Sequence, residues 1–205
     1  MSRYPAILTA VLAVTLLLPH AVSSQLRLSP QVGLYASVSD LGTVDSPEGA
    51  LEVGETETSL ALGLTLETGA SRSIGFRLSA AYGTNSEVPV GGIGCTGIDC
   101  DLQSTLLALT GSVVFRPIRS GFPILPYGVA GGGLKRYDFD FQSESPAGDA
   151  FDDESMGTLM LGAGLDWNLG VLRGNLEITD YISGSVFEDG DSQHDFFVMV
   201  GIILG

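Results

Sequence analysis

The sequence predicts an all-β protein: an eight-stranded antiparallel up-and-down transmembrane β-barrel with four long extracellular loops. Three observations carry this prediction. Strand-like segments alternate apolar with small or polar residues, long acidic and short connections join them in turn, and a secretory signal precedes them. The long connections fall near residues 40–55, 84–102, 140–155 and 183–194, and the short ones near 69–73, 116–125 and 169–170. Four long and three short connections join eight strands and leave both ends of the mature chain on the short-turn side.

The amino-terminal segment stands apart from the fold. Arg3 precedes an apolar run over residues 6–18, and Ala21, Val22 and Ser23 supply the small residues of a cleavage site. That run is shorter than the roughly 20 residues a spanning helix needs. The reading is therefore a removed signal peptide, residues 1–23, followed by one barrel domain, residues 24–205. Glycine or a polar residue interrupts every later apolar stretch, so a membrane-bound form must cross as strands.

Taken in order, the first strand covers Val32 to Ser39 and alternates without a decisive polar face. In the second, Leu60, Leu62, Leu64 and Leu66 alternate with Ser59, Ala61, Gly63, Thr65 and Glu67. The third sets Ile74, Phe76, Leu78, Ala80 and Tyr82 against Gly75, Arg77, Ser79, Ala81 and Gly83. The fourth sets Leu107, Leu109, Val113 and Phe115 against Ala108, Thr110 and Ser112. Each has one greasy face and one small or polar face, because successive strand residues point to opposite sides.

In the fifth strand the odd positions read Tyr127, Val129, Gly131, Gly133, Lys135, Tyr137, Phe139 and Phe141, and the even ones include Arg136 and Asp138. The aromatic ends of the odd row place it outside, as an interfacial girdle with Tyr82, Phe115 and Trp167. The sixth strand points Leu159, Leu161, Ala163, Leu165 and Trp167 outward, against Met160 and Asp166. The seventh has Arg173, Asn175, Glu177 and Thr179 on a polar face, but Asp180 falls among the apolar residues, which means that the strand reaches water there or a bulge shifts its phase. The eighth, Phe196 to Leu204, is apolar on both faces. Glycines inside these strands, Gly131-Gly132-Gly133 above all, argue for tight curvature in a small barrel, and the run lacks the strand-to-helix context and lysine of a phosphate loop.

Charge narrows the function. The chain has 24 acidic and 9 basic residues, for a net charge of −15, which excludes the basic surface that nucleic acid requires. The acids gather in the long connections: Asp149, Asp152, Asp153 and Glu154 in one, Glu188, Asp189 and Asp191 in another. These read first as solvated loops and second as weak candidates for a divalent cation, with no EF-hand spacing among them. Cys95 and Cys100, the only cysteines, lie in one long connection and read as a local disulfide in an exported chain. Nothing in the sequence calls for a cofactor.

With these residues in place, the mature chain resembles the small outer-membrane β-barrel superfamily of the OmpA transmembrane domain, the OmpX-like and the OmpW-like proteins. The resemblance is carried by Pro126-Tyr127-Gly128-Val129-Ala130-Gly131-Gly132-Gly133 and by Gly162-Ala163-Gly164-Leu165-Asp166-Trp167. It implies a bacterial outer-membrane location, contact with lipid and lipopolysaccharide, insertion by the assembly machinery, a monomer, and loops that meet an extracellular partner. The ending Ile203-Leu204-Gly205 departs from the terminal aromatic that many members carry.

Three function classes follow. A non-enzymatic scaffold would hold Glu67, Arg77, Arg136, Asp138, Asp166, Arg173 and Glu177 inside as paired lumenal charges, with Asp166 set across from Arg173 by a tight turn at Leu169-Gly170. A hydrophobic-solute pathway, which the OmpW-like resemblance would imply, has Met160, Phe197, Met199 and Ile203 as lining residues. A lipid A-modifying membrane enzyme is the third class, because small barrels of this compartment can resemble lipid A acyl hydrolases or acyltransferases, and acyl transfer by a serine needs a nearby base. His194 is the one histidine left after signal removal, with Ser192 and Asp195 beside it, but neighbours on a strand point to opposite sides and no His-x-Ser-Asn motif is present. The scaffold is the favoured reading.

Overall fold

The computed structural model describes residues 26–39, 41–46, 49–53, 56–70, 73–88, 90–92, 102–118, 122–141, 153–186 and 192–204. The strands in chain order are β1 (Arg27–Ser37), β2 (Gly42–Ser46), β3 (Gly49–Val53), β4 (Ser59–Thr68), β5 (Ile74–Val88), β6 (Val90–Gly92), β7 (Leu102–Phe115), β8 (Ile124–Phe141), β9 (Glu154–Leu169), β10 (Leu172–Ser183) and β11 (Gln193–Ile202). Eight of them close into an antiparallel barrel in the order β1-β11-β10-β9-β8-β7-β5-β4. The other three, β2, β3 and β6, make a small sheet out of the first two long connections.

Closure is complete because the last strand returns to the first. Gln31 to Ser37 pair with Gly201 to Asp195, and Leu28 bridges Leu204 near the chain ends. A path of paired residues from Ser59 through Tyr35, Phe197, Thr179, Gly162, Val129, Val114 and Gly75 comes back beside Gly69, ten residues from its start. That stagger tilts the strands and sets an interior just wide enough for side chains to fill. At the short-turn end, Gly69 (φ 74°) and Gly170 (φ 80°) turn the chain through backbone angles that residues with a Cβ rarely adopt.

The alternation read from sequence holds in most strands. Leu60, Leu62 and Leu64 of β4, Phe76 and Leu78 of β5, Leu159, Leu161 and Leu165 of β9 and Leu176 and Ile178 of β10 all lie exposed on the outer wall. Strand β8 runs opposite to expectation. Its odd residues Tyr127, Val129, Lys135 and Tyr137 are buried inside, while Leu134, at 66% exposed, faces out. Tyrosines at both ends suited a girdle, but their hydroxyls are needed inside, where they satisfy buried carboxylates.

Glycines 131 and 133 occupy that inward row for a steric reason. A Cβ on Gly133 would lie 2.0 Å from the carbonyl oxygen of Leu109, and one on Gly131 2.2 Å from that of Gly111. Strands β7 and β8 approach too closely there for any side chain.

The last turn also differs. Leu169 pairs with Leu172, so Gly170 and Val171 form the tip, one position past the expected Leu169-Gly170, which shifts the cross-strand pairing by two residues. Asp166 therefore faces Asn175, and Arg173 faces Asn168. The pairing of β10 with β9 and with β11 is continuous past Asp180, so no bulge carries that residue inward. Among the described residues the one register shift in the barrel falls between Gly83 and Ser86 of β5.

Candidate functional site

The lumen holds two charged clusters separated by an apolar layer. Toward the short turns, alternation on β4, β5, β10 and β9 points Glu67, Arg77, Glu177 and Asp166 into the barrel, where all four are buried. Arg77 bonds Glu67 at 2.9 Å and also pairs with Glu177. Arg116 reaches Asp166 at 3.1 Å and places a nitrogen 2.7 Å from Glu67, a charge contact that is not an aligned hydrogen bond. Arg27, at the start of β1, donates to Asp166 at 2.9 Å. Three guanidinium groups thus face three carboxylates.

The Tyr127 ring sits among them. Arg77 lies 5.1 Å and Arg116 5.4 Å from its centroid, and its hydroxyl donates to Glu177 at 2.7 Å. Delocalised cations over an aromatic face lose less on leaving water than bare ammonium would. Asn175 extends the network, donating to the Tyr127 hydroxyl at 3.4 Å and accepting from Ser29 at 3.0 Å.

Toward the long connections a second cluster centres on Asp195. Its carboxylate pairs with Lys135 and accepts from the hydroxyls of Tyr137 at 2.6 Å and Tyr35 at 3.0 Å. Lys135 and Asp195 are fully buried, so their charges must cancel in place. Phe197 packs between the clusters, 5.0 Å from the Tyr35 ring and 5.2 Å from that of Tyr181, with Met160 and Met199 in the same buried core. Leu41, Val53, Val88 and Leu102 are buried with them at the long-connection end, and the Leu41 amide donates to the Val53 carbonyl at 3.1 Å.

Of the seven charges read as lumenal, Glu67, Arg77, Asp166 and Glu177 come together. Arg136 and Asp138 do not. They are half exposed, and Arg136 bonds Asp138 at 2.6 Å and Asp153 at 2.5 Å on the outside of the rim. The inverted phase of β8 put them there. Arg173 is half-buried at the short-turn end and does not meet Asp166, whose partners are Arg27 and Arg116.

Among the girdle residues, Tyr82 and Phe115 face outward, and Trp167 covers Gly174, where a Cβ would lie 2.4 Å from the indole. Tyr127 and Tyr137 are inside, and Phe139 stacks on Tyr137 with centroids 6.0 Å apart. The side chain of Phe141 is outside the described residues, as are Cys95, Cys100, Asp149, Asp152, Glu188, Asp189, Asp191 and residues 1–23. Of the two cation candidates that are described, Asp153 is engaged by Arg136 and Glu154 is half-buried; among the described residues no three such side chains gather as a metal site.

The reading from sequence missed Arg27, Arg116, Lys135, Tyr35 and Asp195 as network members. Arg116 had a signal, since it continues the inward row Ser112, Val114 by two residues. Lys135 had one too, as the single charge in an otherwise apolar and glycine row. Their partners lie up to 139 positions away in the chain, where no local pattern points.

A closed, sheared, eight-stranded barrel with a charge-paired lumen and an apolar outer wall decides the fold. It is the fold of the small outer-membrane barrels. The structure is similar to neisserial surface protein A, with a TM-score of 0.56 at 10% identity over 87% of this chain and 96% of that one. It is equally similar to the outer membrane protein OprG from Pseudomonas aeruginosa, with a TM-score of 0.56 at 15% identity over 87% of this chain and 95% of the other. No family model and no curated relative matches the sequence.

Proposed function

We propose that this chain is a monomeric bacterial outer-membrane scaffold that conducts nothing and meets its surroundings through acidic outer connections. The observation that carries this reading is the filled lumen: two charge-balanced clusters with Phe197, Met160 and Met199 packed between them. An ion would have to displace that packing and break paired charges, so the interior acts as a core with no catalytic role. Of the solute-lining residues of the alternative reading, Met160, Phe197 and Met199 belong to this core and Ile203 is buried as well, which argues for packing.

The outer wall supports the membrane part of the proposal. Leucine, isoleucine, valine and phenylalanine project from every strand of the closed barrel, far beyond the apolar patch a soluble monomer exposes. Charge supports the direction. Glu57, Glu87, Asp138, Asp140, Asp153 and Glu154 all lie at the long-connection end, where Arg136 engages Asp138 and Asp153. Export with cleavage of residues 1–23, contact with lipopolysaccharide, insertion by the assembly machinery, a Cys95–Cys100 disulfide and a loop-bound extracellular partner belong to the same reading.

Planar-bilayer recording of the refolded barrel tests the sealed lumen. The expected trace is flat, with discrete steps appearing when Phe197 and Met160 are both changed to alanine. Steady single-channel conductance in the unmodified protein would overturn the proposal.

A further inference from the structure

The tips of the short turns carry the wrong chemistry for water. Between β9 and β10 the chain turns through Leu169, Gly170, Val171 and Leu172, and all three apolar side chains are exposed, Val171 fully. Phe122, just ahead of β8, and Ile124, its first residue, are as open. Charge does not compensate. Among the described residues of this end Glu67, Arg116 and Asp166 are buried in the lumen, and the half-buried charged side chains are Arg27 and Arg173, both cations. Apolar tips with cations and no exposed carboxylate suit phospholipid, whose acyl region takes the tips while its phosphates meet the cations.

At the other end of the wall a carboxylate has the opposite problem. Asp180 follows Leu176 and Ile178 on the outward face of β10 and pairs with Leu161 of β9 and Phe196 of β11. Its Oδ2 lies 2.8 Å from Nδ1 of His194, on the outward row of β11. A charge held among lipid-facing residues is costly.

A single position of the bilayer along the wall relieves both strains. The outward row of β9 is apolar from Leu159 to Leu169, with Gly157 and Ser155 beyond it. That span rises ~33 Å along the strand and ~25 Å along the membrane normal at a tilt of ~40°, the height of the apolar band of such barrels. The stagger of the barrel makes each paired step from β9 toward β11 climb ~3 Å. A band with its lower edge at Leu169 has its upper edge at Leu159, which brings Asp180 within ~2 Å of that edge and His194 above it. With the lower edge at Trp167 instead, the band would move by ~5 Å, leaving the tips in water and Asp180 ~7 Å inside lipid.

We propose that the short-turn end is a lipid-docking surface, with the tips at Phe122, Ile124, Leu169, Val171 and Leu172 sunk in a phospholipid leaflet and the Asp180–His194 pair at the opposite water boundary. That placement rests on the membrane part of the function proposed above and adds where along the wall the bilayer lies. Lipid is the occupant because the tips continue the lipid-facing row of Leu161, Leu165 and Leu169, and the same shift that covers them brings a carboxylate to water.

The test uses the full-length barrel with Cys95→Ser and Cys100→Ser, refolded in dimyristoylphosphatidylcholine vesicles, with heat-modifiable gel migration confirming the fold. Single cysteines carry an environment-sensitive fluorophore: Val171→Cys and Phe122→Cys at the tips, Leu165→Cys on the wall, Ile182→Cys beside the Asp180–His194 pair, and Glu57→Cys at the long-connection end. Quenching by doxyl-labelled phosphatidylcholine reports lipid contact, and quenching by iodide present on both sides of the bilayer reports water. Labels at Val171 and Phe122 should follow the one at Leu165, with strong lipid quenching and loss of iodide quenching, whereas those at Ile182 and Glu57 should be quenched by iodide. Iodide quenching at the tips with lipid quenching retained at Leu165 would overturn the proposal and leave the membrane reading standing; loss of lipid quenching at Leu165 as well would overturn both. Tips shielded from iodide without lipid quenching, with a cross-linked dimer through Val171→Cys, would assign them to a second copy and overturn it too. Shielding of Ile182 from iodide would refute the position of the bilayer.

Discussion

Arg77→Met is the most informative single change in the lumen. Arg77 is 4% exposed and serves two carboxylates, Glu67 and Glu177. Without it, Glu67 keeps Arg116 within 2.7 Å, whereas Glu177 keeps only the Tyr127 hydroxyl at 2.7 Å. One buried carboxylate is left uncompensated, and breaking a buried pair in this way costs about 3–5 kcal/mol, less where water reaches the charge. The structure then distinguishes two rescues. Adding Glu177→Gln removes the orphaned charge, retains an acceptor for Tyr127 and should recover more than half of the loss. Adding Glu67→Gln leaves Glu177 orphaned, takes a partner from Arg116 and should recover little. Reversible urea unfolding in lipid vesicles measures all four proteins. A cost below about 1 kcal/mol for Arg77→Met, the scale of an exposed pair, or equal rescue by both second changes, would refute the assignment of partners.

Other expectations follow from the wall and the turns. A spin label on cysteine at Leu134 should contact lipid, and one at Val129 should not; the reverse pattern would restore the opposite phase of β8. Leu165→Arg should destabilise by about 2–4 kcal/mol near the bilayer midplane, while Arg136→Leu at the exposed rim should be nearly neutral in the same unfolding assay. Gly133→Ala should cost about 1–3 kcal/mol, because its methyl meets the Leu109 carbonyl at 2.0 Å; unchanged stability would show that β7 and β8 can separate there. Peptide mapping without reductant should find Cys95 linked to Cys100, and free thiols in protein taken from an oxidising compartment would count against the bond.

Strand number, order and antiparallel sense were legible in the chain because they rest on local quantities. Period two is a property of each extended segment, and connection length decides which neighbours pair. Leu60, Leu62, Leu64 and Leu66 against Ala61, Gly63, Thr65 and Glu67 leave no choice of outer face. The Tyr127 to Phe141 row did leave one, because tyrosine suits a lipid interface and a buried carboxylate equally well. Only the closed barrel resolves it, by placing Glu177 beneath Tyr127 and Asp195 beside Tyr137. Register was equally hidden. Moving the β9–β10 turn by one position shifted the pairing by two residues, which kept every face and changed every partner, and gave Asp166 to Arg27 and Arg116 instead of Arg173. Asp180 was visible in the sequence as a residue out of place, and so was His194 as a lone histidine. Their pairing needed the diagonal between β10 and β11, a distance set by the register of strands and absent from the spacing of residues along either one.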